Sequence, residues 1–370
     1  MLRHASNHAL VTVVCSVVFL CAPARLPASA FTQTNLVSNV PGLAEHTDPN
    51  LVNPWGVSSS ATSPFWVSDQ GTGVATLYDG AGNITPLVVS IPGSSTPPSG
   101  PTGQVFNSTT GFVVGNSPAH FIFDTLNGTI AGWNSGTSAV TMASTPEAVY
   151  TGLAIDSTAT ATYLYAADSA GGAIHVFNSS WTDVTGSVFA GKFVDPNPVA
   201  GYVPFNVQTI GSNIYVTYAQ LTSQGTGLPG GYVDEFDANG NFITRIATNG
   251  PLYAPWGITL APSEFGPYSN DLLIGNFGNG EILAYNPTTD MFLGALDGPD
   301  GSPIVDPFLW ALIVRTGGTN VNTDALYLTA GIDNQQDGLF AEIAYTPEPS
   351  TLFETGSAFI GLLLLRFRRK

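Results

Sequence analysis

The chain consists largely of short apolar runs separated by turn-forming residues. Runs such as "PFWVSD" (residues 64–69), "TYLYAAD" (162–168) and "DLLIGNF" (271–277) are mostly apolar or alternate with polar positions, and Gly, Asn or Asp bounds most of them. Such segments are typical of β-strands joined by tight turns, whereas a helix repeats its apolar residues every three or four positions. The pattern therefore predicts an all-β protein.

The strand-like runs recur as six units. Successive units begin with "NPWGVSSS", "PTGQVFNS", "YTGLAIDS", "VPFNVQTI", "APWGITLA" and "FLWALIVR". The intervals are 48, 50, 52, 51 and 54 residues when the units are aligned on Trp55, Gly103, Leu153, Phe205, Trp256 and Trp310. Each unit has a second and a third run, and five units have a weaker fourth, which predicts a six-bladed β-propeller. The predicted blade cores lie near residues 53–91, 101–144, 150–190, 203–248, 254–298 and 308–345.

The sixth unit has only three runs, the last being "GLFAEIAYT" (338–346). Residues 31–38, "FTQTNLVS", precede the first unit and are also strand-like. We predict that they pair with the last blade as its outer strand, because this pairing closes the ring and removes an open sheet edge. The Trp and Phe residues of the first strands are expected to pack between blades.

The predicted propeller is strongly acidic. Residues 31–345 contain 24 carboxylates and only three cations, Lys192, Arg245 and Arg315. Such a body repels nucleic acid and anionic membranes, so both are excluded as direct ligands. The two cysteines, Cys15 and Cys21, precede the repeats. The repeats therefore have no disulfide framework and no cysteine nucleophile or zinc ligand.

The first 30 residues have the pattern of a secretory signal peptide. Arg3 gives a positive start, residues 10–22 form an apolar run, and "ASA" (28–30) is a small-x-small cleavage site. We expect cleavage before Phe31. The alternative, a lipoprotein signal ending at Cys21, is disfavoured by the bulky Leu20 that precedes it.

The last 25 residues, 346–370, read "TPEPSTLFETGSAFIGLLLLRFRRK". A Pro-Glu-Pro motif precedes a mostly apolar segment, 352–365, and the chain then ends in a basic cluster. This order resembles the PEP-CTERM sorting tail. The resemblance implies an apolar anchor helix, sorting by an exosortase-type membrane enzyme of Gram-negative bacteria, and an inner-membrane stage before the cell surface or medium. The alternative is an ordinary C-terminal membrane anchor. The sorting signal would comprise Pro347, Glu348, Pro349, Arg366, Arg368 and Arg369.

The repeats resemble those of NHL-type six-bladed propellers, most clearly in "APWGITLAPSEFGPYSNDLLIGNFGNGEILAYNPTTDMFLGAL". The whole chain also resembles an uncharacterised bacterial family of exported propellers that often carry the same tail. Neither resemblance implies an activity.

Acidic or amide residues end several of the second strands. If they converge near the axis, they form an oxygen-rich ring suited to Ca²⁺, which binds six to eight oxygens. Alternatively, each bonds the backbone of its own turn. The candidate metal ligands are Asp69, Asp124, Asp168 and Asn276, with Asp333 matching more loosely. The segments "DGAGN" (79–83), "DANGN" (237–241) and "DGPDG" (297–301) are predicted to be tight turns, because they lack the spacing of calcium loops.

His120 and His175 are the only plausible general bases in the repeats. No motif of a hydrolase triad, metalloprotease or phosphate loop accompanies them. Two functions follow. The first is a non-enzymatic exported propeller that binds a ligand or a surface component of the cell envelope or extracellular matrix, with a polysaccharide or a surface protein as candidate ligands. The alternative is a Ca²⁺-dependent propeller hydrolase or lyase that acts on a lactone or polysaccharide.

Overall fold

The computed structural model of the chain describes residues 30–93, 99–222 and 227–347. These residues form an all-β propeller of six blades, as the repeats predict. The predicted signal peptide except Ala30, and the predicted tail except Thr346 and Pro347, lie outside the described residues, and so does the expected anchor helix at 352–365. Within the three described ranges, no helix is long and apolar enough to cross a membrane.

Each blade is a sheet whose first strand faces the central channel, where the first strands of neighbouring blades contact each other. We name the strands A to D from the channel outwards. Blade 1 comprises Pro54–Ser58, Phe65–Asp69, Val74–Tyr78 and Ile84–Ser90, and blade 2 comprises Pro101–Phe106, Phe121–Thr125, Thr129–Trp133 and Val140–Ser144. Blade 3 comprises Tyr150–Ser157, Thr162–Asp168 and Ala173–Asn178. Blade 4 comprises Val203–Ile210, Asn213–Ala219, Tyr232–Asp237 and Phe242–Thr248, and blade 5 comprises Pro255–Leu260, Leu272–Asn276, Ile282–Tyr285 and Phe292–Ala295.

Blade 6 takes its strands A to C from Leu309–Val314, Ala325–Ala330 and Leu339–Thr346. The connections add a short hairpin, Val113–Val114 with Ser117–Pro118, a 3₁₀ turn at Gly266–Tyr268 and a helical turn at Ile332–Gln335.

The first strand of the chain that the structure describes completes the last blade of the propeller. Ala30–Ser38 pairs antiparallel with Leu339–Thr346 as strand D of blade 6, which confirms the prediction made for residues 31–38. His46–Thr47 adds a fifth, parallel strand outside it. Phe31 is buried and packs against Phe265 of blade 5, with ring centroids 4.8 Å apart. The closing strand is therefore joined to the ring by both backbone pairing and aromatic contact.

Blade 3 lacks the predicted fourth strand. The run "VTGSVFA" (184–190) forms turns, so its assignment as a strand was wrong. Val184 still donates a backbone hydrogen bond to Val176, but the Val176 N–H is bound by the Thr185 hydroxyl rather than by a strand carbonyl. Because this side chain replaces the next ladder bond, the chain turns away, and Phe189 packs on Tyr163.

The A strands fix which residues fill the channel. In every blade, the pairing of strand A with strand B shifts register near the start of strand A. The residues paired before and after this shift show which A-strand positions are equivalent from blade to blade. The sequence alignment at Gly103 and Leu153 was therefore wrong by one and two residues, because Thr102 and Thr151 are the true equivalents of Trp55. The six equivalent residues, in blade order, are Trp55, Thr102, Thr151, Phe205, Trp256 and Trp310.

Four of these six residues are aromatic and pack on one another. Trp55 stacks on Trp310 of the neighbouring blade 6 with ring centroids 3.5 Å apart. It also meets the edge of Trp256 in blade 5, which is not its neighbour, at 6.2 Å. The expected packing between blades is therefore present, and it extends across the channel. Thr102 and Thr151 place only small side chains on the side of blades 2 and 3.

Candidate functional site

A cavity of about 240 Å³ opens at the end of the channel where the A strands begin and the B strands end. We call it the mouth cavity. Ten residues line it, namely Asn53, Trp55, Gln70, Leu126, Val149, Thr151, Ser169, Phe205, Leu221 and Gln335.

The mouth cavity lies where the aromatic filling of the channel is interrupted. Thr151 takes the position that Trp55 takes in blade 1, and its hydroxyl bonds back to the Ala167 carbonyl of its own blade. The Thr102 hydroxyl lies 2.7 Å from Asp124 of its own blade and 2.8 Å from the Tyr150 carbonyl of blade 3, so it is also engaged away from the channel. Both threonine side chains are short and are held by hydrogen bonds. In the channel they therefore leave free the space that an indole ring fills at the equivalent positions of blades 1, 5 and 6.

Three side-chain amides form the polar wall of the mouth cavity. The Asn53 Nδ2 group donates to Gln70 Oε1 at 2.7 Å and to Gln335 Oε1 at 3.4 Å. Asn53 Oδ1 accepts the indole N–H of Trp310 at 3.0 Å. The Gln70 amide nitrogen donates to the Ser99 carbonyl at 3.2 Å. This network ties blade 1 to blade 6 and leaves each of the three amide oxygens with a hydrogen bond.

The indole nitrogen of Trp55 is different. Trp55 is only 6% exposed, and its Nε1–H finds no acceptor among the described residues, whereas the indole nitrogens of Trp256 and Trp310 donate at 2.8 and 3.0 Å. A buried donor without a partner is costly, because it has lost water without gaining a protein acceptor. Because less than 1 Å² of this nitrogen is accessible, the mouth cavity does not reach the donor.

Backbone strain is concentrated beside the same wall. Asp333, Asn334 and Gln335 have φ values of 50°, 53° and 67°, so three successive residues are left-handed, and Asn53 has a φ of 46°. This conformation costs most non-glycine residues about 1–2 kcal/mol, but Asn and Asp tolerate it, so the strain falls mainly on Gln335. Strain of this kind persists where surrounding contacts fix it, commonly at functional sites. Here the left-handed turn brings Gln335 to the mouth cavity.

The predicted metal ligands do not form one group. The Asp69 carboxylate accepts from the Thr76 hydroxyl at 2.8 Å, and Asp124 accepts from Thr102 at 2.7 Å. Asp168 accepts from the backbone of Val149 and Ala170 at 2.9 and 3.1 Å. Asn276 accepts from the Tyr253 backbone at 2.9 Å. In the described part of the chain, no three His, Cys, Asp or Glu side chains are placed to hold a metal ion.

Two of these carboxyls are buried inside their blades rather than at the mouth. Burial raises the pKa of Asp124 to about 7, and the Thr102 hydroxyl offsets part of that rise. Burial also raises the pKa of Asp69 well above its ordinary value, with the Thr76 hydroxyl acting in the opposite direction. Neither residue lines the mouth cavity. Asp333 is exposed on the left-handed turn.

The candidate general bases also lie elsewhere. His120 is exposed, with its ring centroid 6.3 Å from that of Trp133. His175 Nδ1 lies 2.9 Å from the Tyr150 hydroxyl, and its Nε2 lies 3.7 Å from an Asp168 oxygen. Neither histidine lines the mouth cavity.

The three Asp-containing segments are tight turns, as predicted. Asp79 accepts backbone hydrogen bonds from Ala81 and Asn83, and Asp237 accepts the matching pair from Asn239 and Asn241. In the third segment, Asp300 accepts from the Ser302 backbone at 2.9 Å. The carboxylates of Asp79, Asp237 and Asp300 thus bond within their own turns, and Asp79 also accepts from the Asn320 amide at 2.8 Å.

Sequence analysis missed Asn53, Gln70 and Gln335. Two of them were visible as neighbours of predicted features, since Asn53 opens the first unit and Gln70 follows Asp69 directly. Gln335 lies in "GIDNQQDG", where Asp333 and Asn334 are residue types that tolerate left-handed backbone, but nothing there indicates that Gln335 is left-handed too.

These features define a six-bladed propeller with an uncharged cavity at one mouth of a channel filled by aromatic side chains. No protein-family model matches the chain. The chain belongs to a family that includes two uncharacterised proteins of Acanthamoeba polyphaga mimivirus. One is 31% identical over 325 residues, covering 83% of this chain and 78% of the viral protein. The other is 30% identical over 325 residues, covering 83% and 84%.

Two solved structures are similar in fold. A streptogramin B lyase superposes with a TM-score of 0.50 and 10% identity, covering 86% of this chain and 98% of the lyase. The apo form of the soluble aldose sugar dehydrogenase of Escherichia coli gives a TM-score of 0.50 and 12% identity, covering 85% and 99%. At these identities, the similarity concerns the propeller fold alone.

Proposed function

We propose that this protein is an exported propeller that binds an uncharged sugar unit of a surface polysaccharide in its mouth cavity without transforming it. The observation that carries the proposal is the chemistry of the lining. Every described lining residue is neutral, and the set combines amides and hydroxyls with Trp, Phe, Leu and Val side chains. Uncharged ligands with both hydroxyl groups and apolar faces are matched by such a lining.

The charge of the body supports the same class of ligand. Residues 31–345 carry 24 carboxylates against three cations, which repels anionic polymers. Catalysis by proton transfer needs a titratable group at the reacting atoms. The described residues that line the mouth cavity include no carboxylate, imidazole, amine or thiol. Binding is therefore better supported than a hydrolase or lyase reaction.

The proposed cellular route rests on the two ends of the sequence. The signal peptide directs export, segment 352–365 holds the chain in the inner membrane, and an exosortase-type enzyme then processes the tail at its Pro-Glu-Pro motif. The product acts at the cell surface or in the matrix. Mass spectrometry of the mature chain tests this route, which predicts an N-terminus at Phe31 and a C-terminus before the apolar segment. An intact C-terminal Lys370 in the secreted protein would contradict it.

Ligand binding is tested with the purified full chain and a panel of neutral, anionic and cationic polysaccharides. We expect neutral polymers to bind with a change in tryptophan fluorescence that Trp55→Phe reduces, anionic polymers not to bind, and any binding of cationic polymers to the acidic surface to be unaffected by Trp55→Phe. Trp133→Phe is the matched control, because Trp133 lies outside the mouth cavity and its indole nitrogen already donates to the Gly136 carbonyl at 3.0 Å. Turnover of a bound polymer, or equal responses from both variants, would refute the proposal.

A further inference from the structure

We infer that the mouth cavity receives the terminal residue of a neutral polysaccharide chain rather than a unit from its interior. This inference rests on the proposed function and specifies which part of the polymer is bound. The relevant observations are the closed floor of the mouth cavity, the burial of its lining, the distribution of its rim over the blades and its size.

The channel beneath the mouth cavity is closed to a polymer. Trp55 lines this cavity and stacks on Trp310 at 3.5 Å, and Phe277 packs on Trp310 with ring centroids 4.3 Å apart. A second cavity, of about 220 Å³, lies further along the A strands, and Trp256 is part of its lining. The two cavities have no described lining residue in common. An aromatic layer therefore separates them, so a polysaccharide does not thread from one to the other.

The lining of the mouth cavity has the burial of a pit rather than of a groove. The five buried lining residues, which form the floor, are Asn53, Trp55, Gln70, Thr151 and Phe205. The five half-buried ones, which form the rim, are Leu126, Val149, Ser169, Leu221 and Gln335. None of the described lining residues is exposed. A groove that held the middle of a chain would instead continue over exposed residues on two sides.

The rim is distributed around the channel. Leu126 and Ser169 follow the B strands of blades 2 and 3, Leu221 follows strand B of blade 4, and Gln335 ends the helical turn of blade 6. An internal sugar unit continues into the polymer on both of its sides, so both continuations would have to leave through the one opening inside this rim. A terminal residue has a single continuation and enters without folding the polymer back on itself.

The size of the mouth cavity agrees with a terminal residue. About 240 Å³ is below the roughly 300–1,000 Å³ of pockets that enclose drug-sized ligands. The cavity is therefore suited to a single sugar residue, and the two further units that a folded-back chain would bring into the opening have no space beside it.

The test compares linear neutral polymers before and after mild acid hydrolysis to about one-tenth of their length. The probes are pullulan, inulin and linear galactan, and their binding to the purified full chain is followed by calorimetry or tryptophan fluorescence. At equal mass, hydrolysis raises the number of chain ends about tenfold and leaves most internal linkages intact. For a probe that binds, we therefore expect the mass concentration at half-saturation to fall about tenfold.

Ser169→Trp places an indole on the rim and should weaken binding of the hydrolysed probe at least about tenfold, because it occupies the opening. Leu126→Trp is a second blocking variant on the same rim. Thr259→Trp is the matched control, since Thr259 is also half-buried but lines the second cavity, and it should leave binding unchanged. Thermal unfolding verifies that each variant retains the propeller.

An unchanged half-saturation concentration after hydrolysis would overturn the terminal-residue inference and leave the proposed sugar binding standing. Unimpaired binding by both folded rim variants would also overturn it, because the chain ends would then be bound elsewhere. Failure of every probe to bind, intact or hydrolysed, would overturn both proposals.

Discussion

The ring closure contains a buried pair that should make the stability of the propeller depend on pH. Gln33 of the closing strand donates its amide to Asp306 Oδ1 at 2.8 Å, and Asp306 is only 3% exposed. The other oxygen of each side chain, Gln33 Oε1 and Asp306 Oδ2, is buried without a partner among the described residues. Burial raises the pKa of Asp306 from 3.8 to about 6, and the Gln33 bond offsets part of the rise.

The sign of the effect follows from proton binding. Because the folded state binds the Asp306 proton more tightly than the unfolded state does, the contribution is most favourable below the ordinary pKa of 3.8, and it is lost as the pH rises towards 6. The difference is about two pKa units, and one unit corresponds to about 1.4 kcal/mol, so ionisation of Asp306 costs the fold about 3 kcal/mol at pH 8. In the Asp306→Asn variant the side chain at this position cannot ionise. Its amide also adds a hydrogen-bond donor to a contact in which Gln33 Oε1 and Asp306 Oδ2 have no donor among the described residues.

The assay is urea unfolding of the full chain and of Asp306→Asn at pH 8 and pH 4.5. We expect the variant to be more stable by about 3 kcal/mol at pH 8 and by about 1 kcal/mol at pH 4.5. Asp324→Asn makes the same charge change at an exposed position and should give no comparable gain. A variant that is less stable than the parent at pH 8, or an equal gain at both pH values, would refute this reasoning.

Three further outcomes are expected. Arg245→Met should destabilise the fold by about 3–5 kcal/mol in urea unfolding, because it leaves buried Asp234 and Asp195 without their cation. Adding Asp234→Asn should restore part of this loss. A loss below about 1 kcal/mol for Arg245→Met alone would contradict the pairing. Gly103→Ala should cost at least about 1–3 kcal/mol, since its methyl group would overlap the backbone of the neighbouring A strand, whereas Gly186→Ala, which meets open space, should be nearly neutral. Sugar affinity should vary less than about twofold between pH 5 and 8, because no described residue that lines the mouth cavity titrates; a tenfold change would indicate a titrating contact.

The sequence was most informative where side-chain pattern and backbone structure coincide. Alternating apolar runs with Gly, Asn and Asp turns predicted the propeller and its closure by residues 31–38, because each strand buries its faces between neighbouring blades. The register of the A strands was less predictable. Shifts in pairing near their start moved Thr102 and Thr151, rather than Gly103 and Leu153, into the position of Trp55. Such irregularities depend on the approach of the neighbouring strand, which local sequence does not encode.

The site was less predictable for a related reason. Asp69, Asp124 and Asp168 were correctly placed at the ends of their strands, but the direction of each carboxylate depends on a donor that only the fold supplies. Gln335 reaches the mouth cavity through left-handed backbone that is held by tertiary contacts. Long-range contacts therefore determine which side chains line the mouth cavity, whereas short-range sequence patterns determine the strands of the blades.

The closing strand also limits when the ring can be completed during synthesis of the chain. A bond between Thr32 and Thr346 joins residues 314 positions apart, so the first strand of the propeller pairs only after its last strand has been made. At roughly 5–20 residues per second, ribosomes need about 15 to 60 s to cover that distance. During this interval the first strand lacks its antiparallel partner, Leu339–Thr346, and that edge is open to wrong pairing. The contact that closes the ring is therefore among the last that the chain can form.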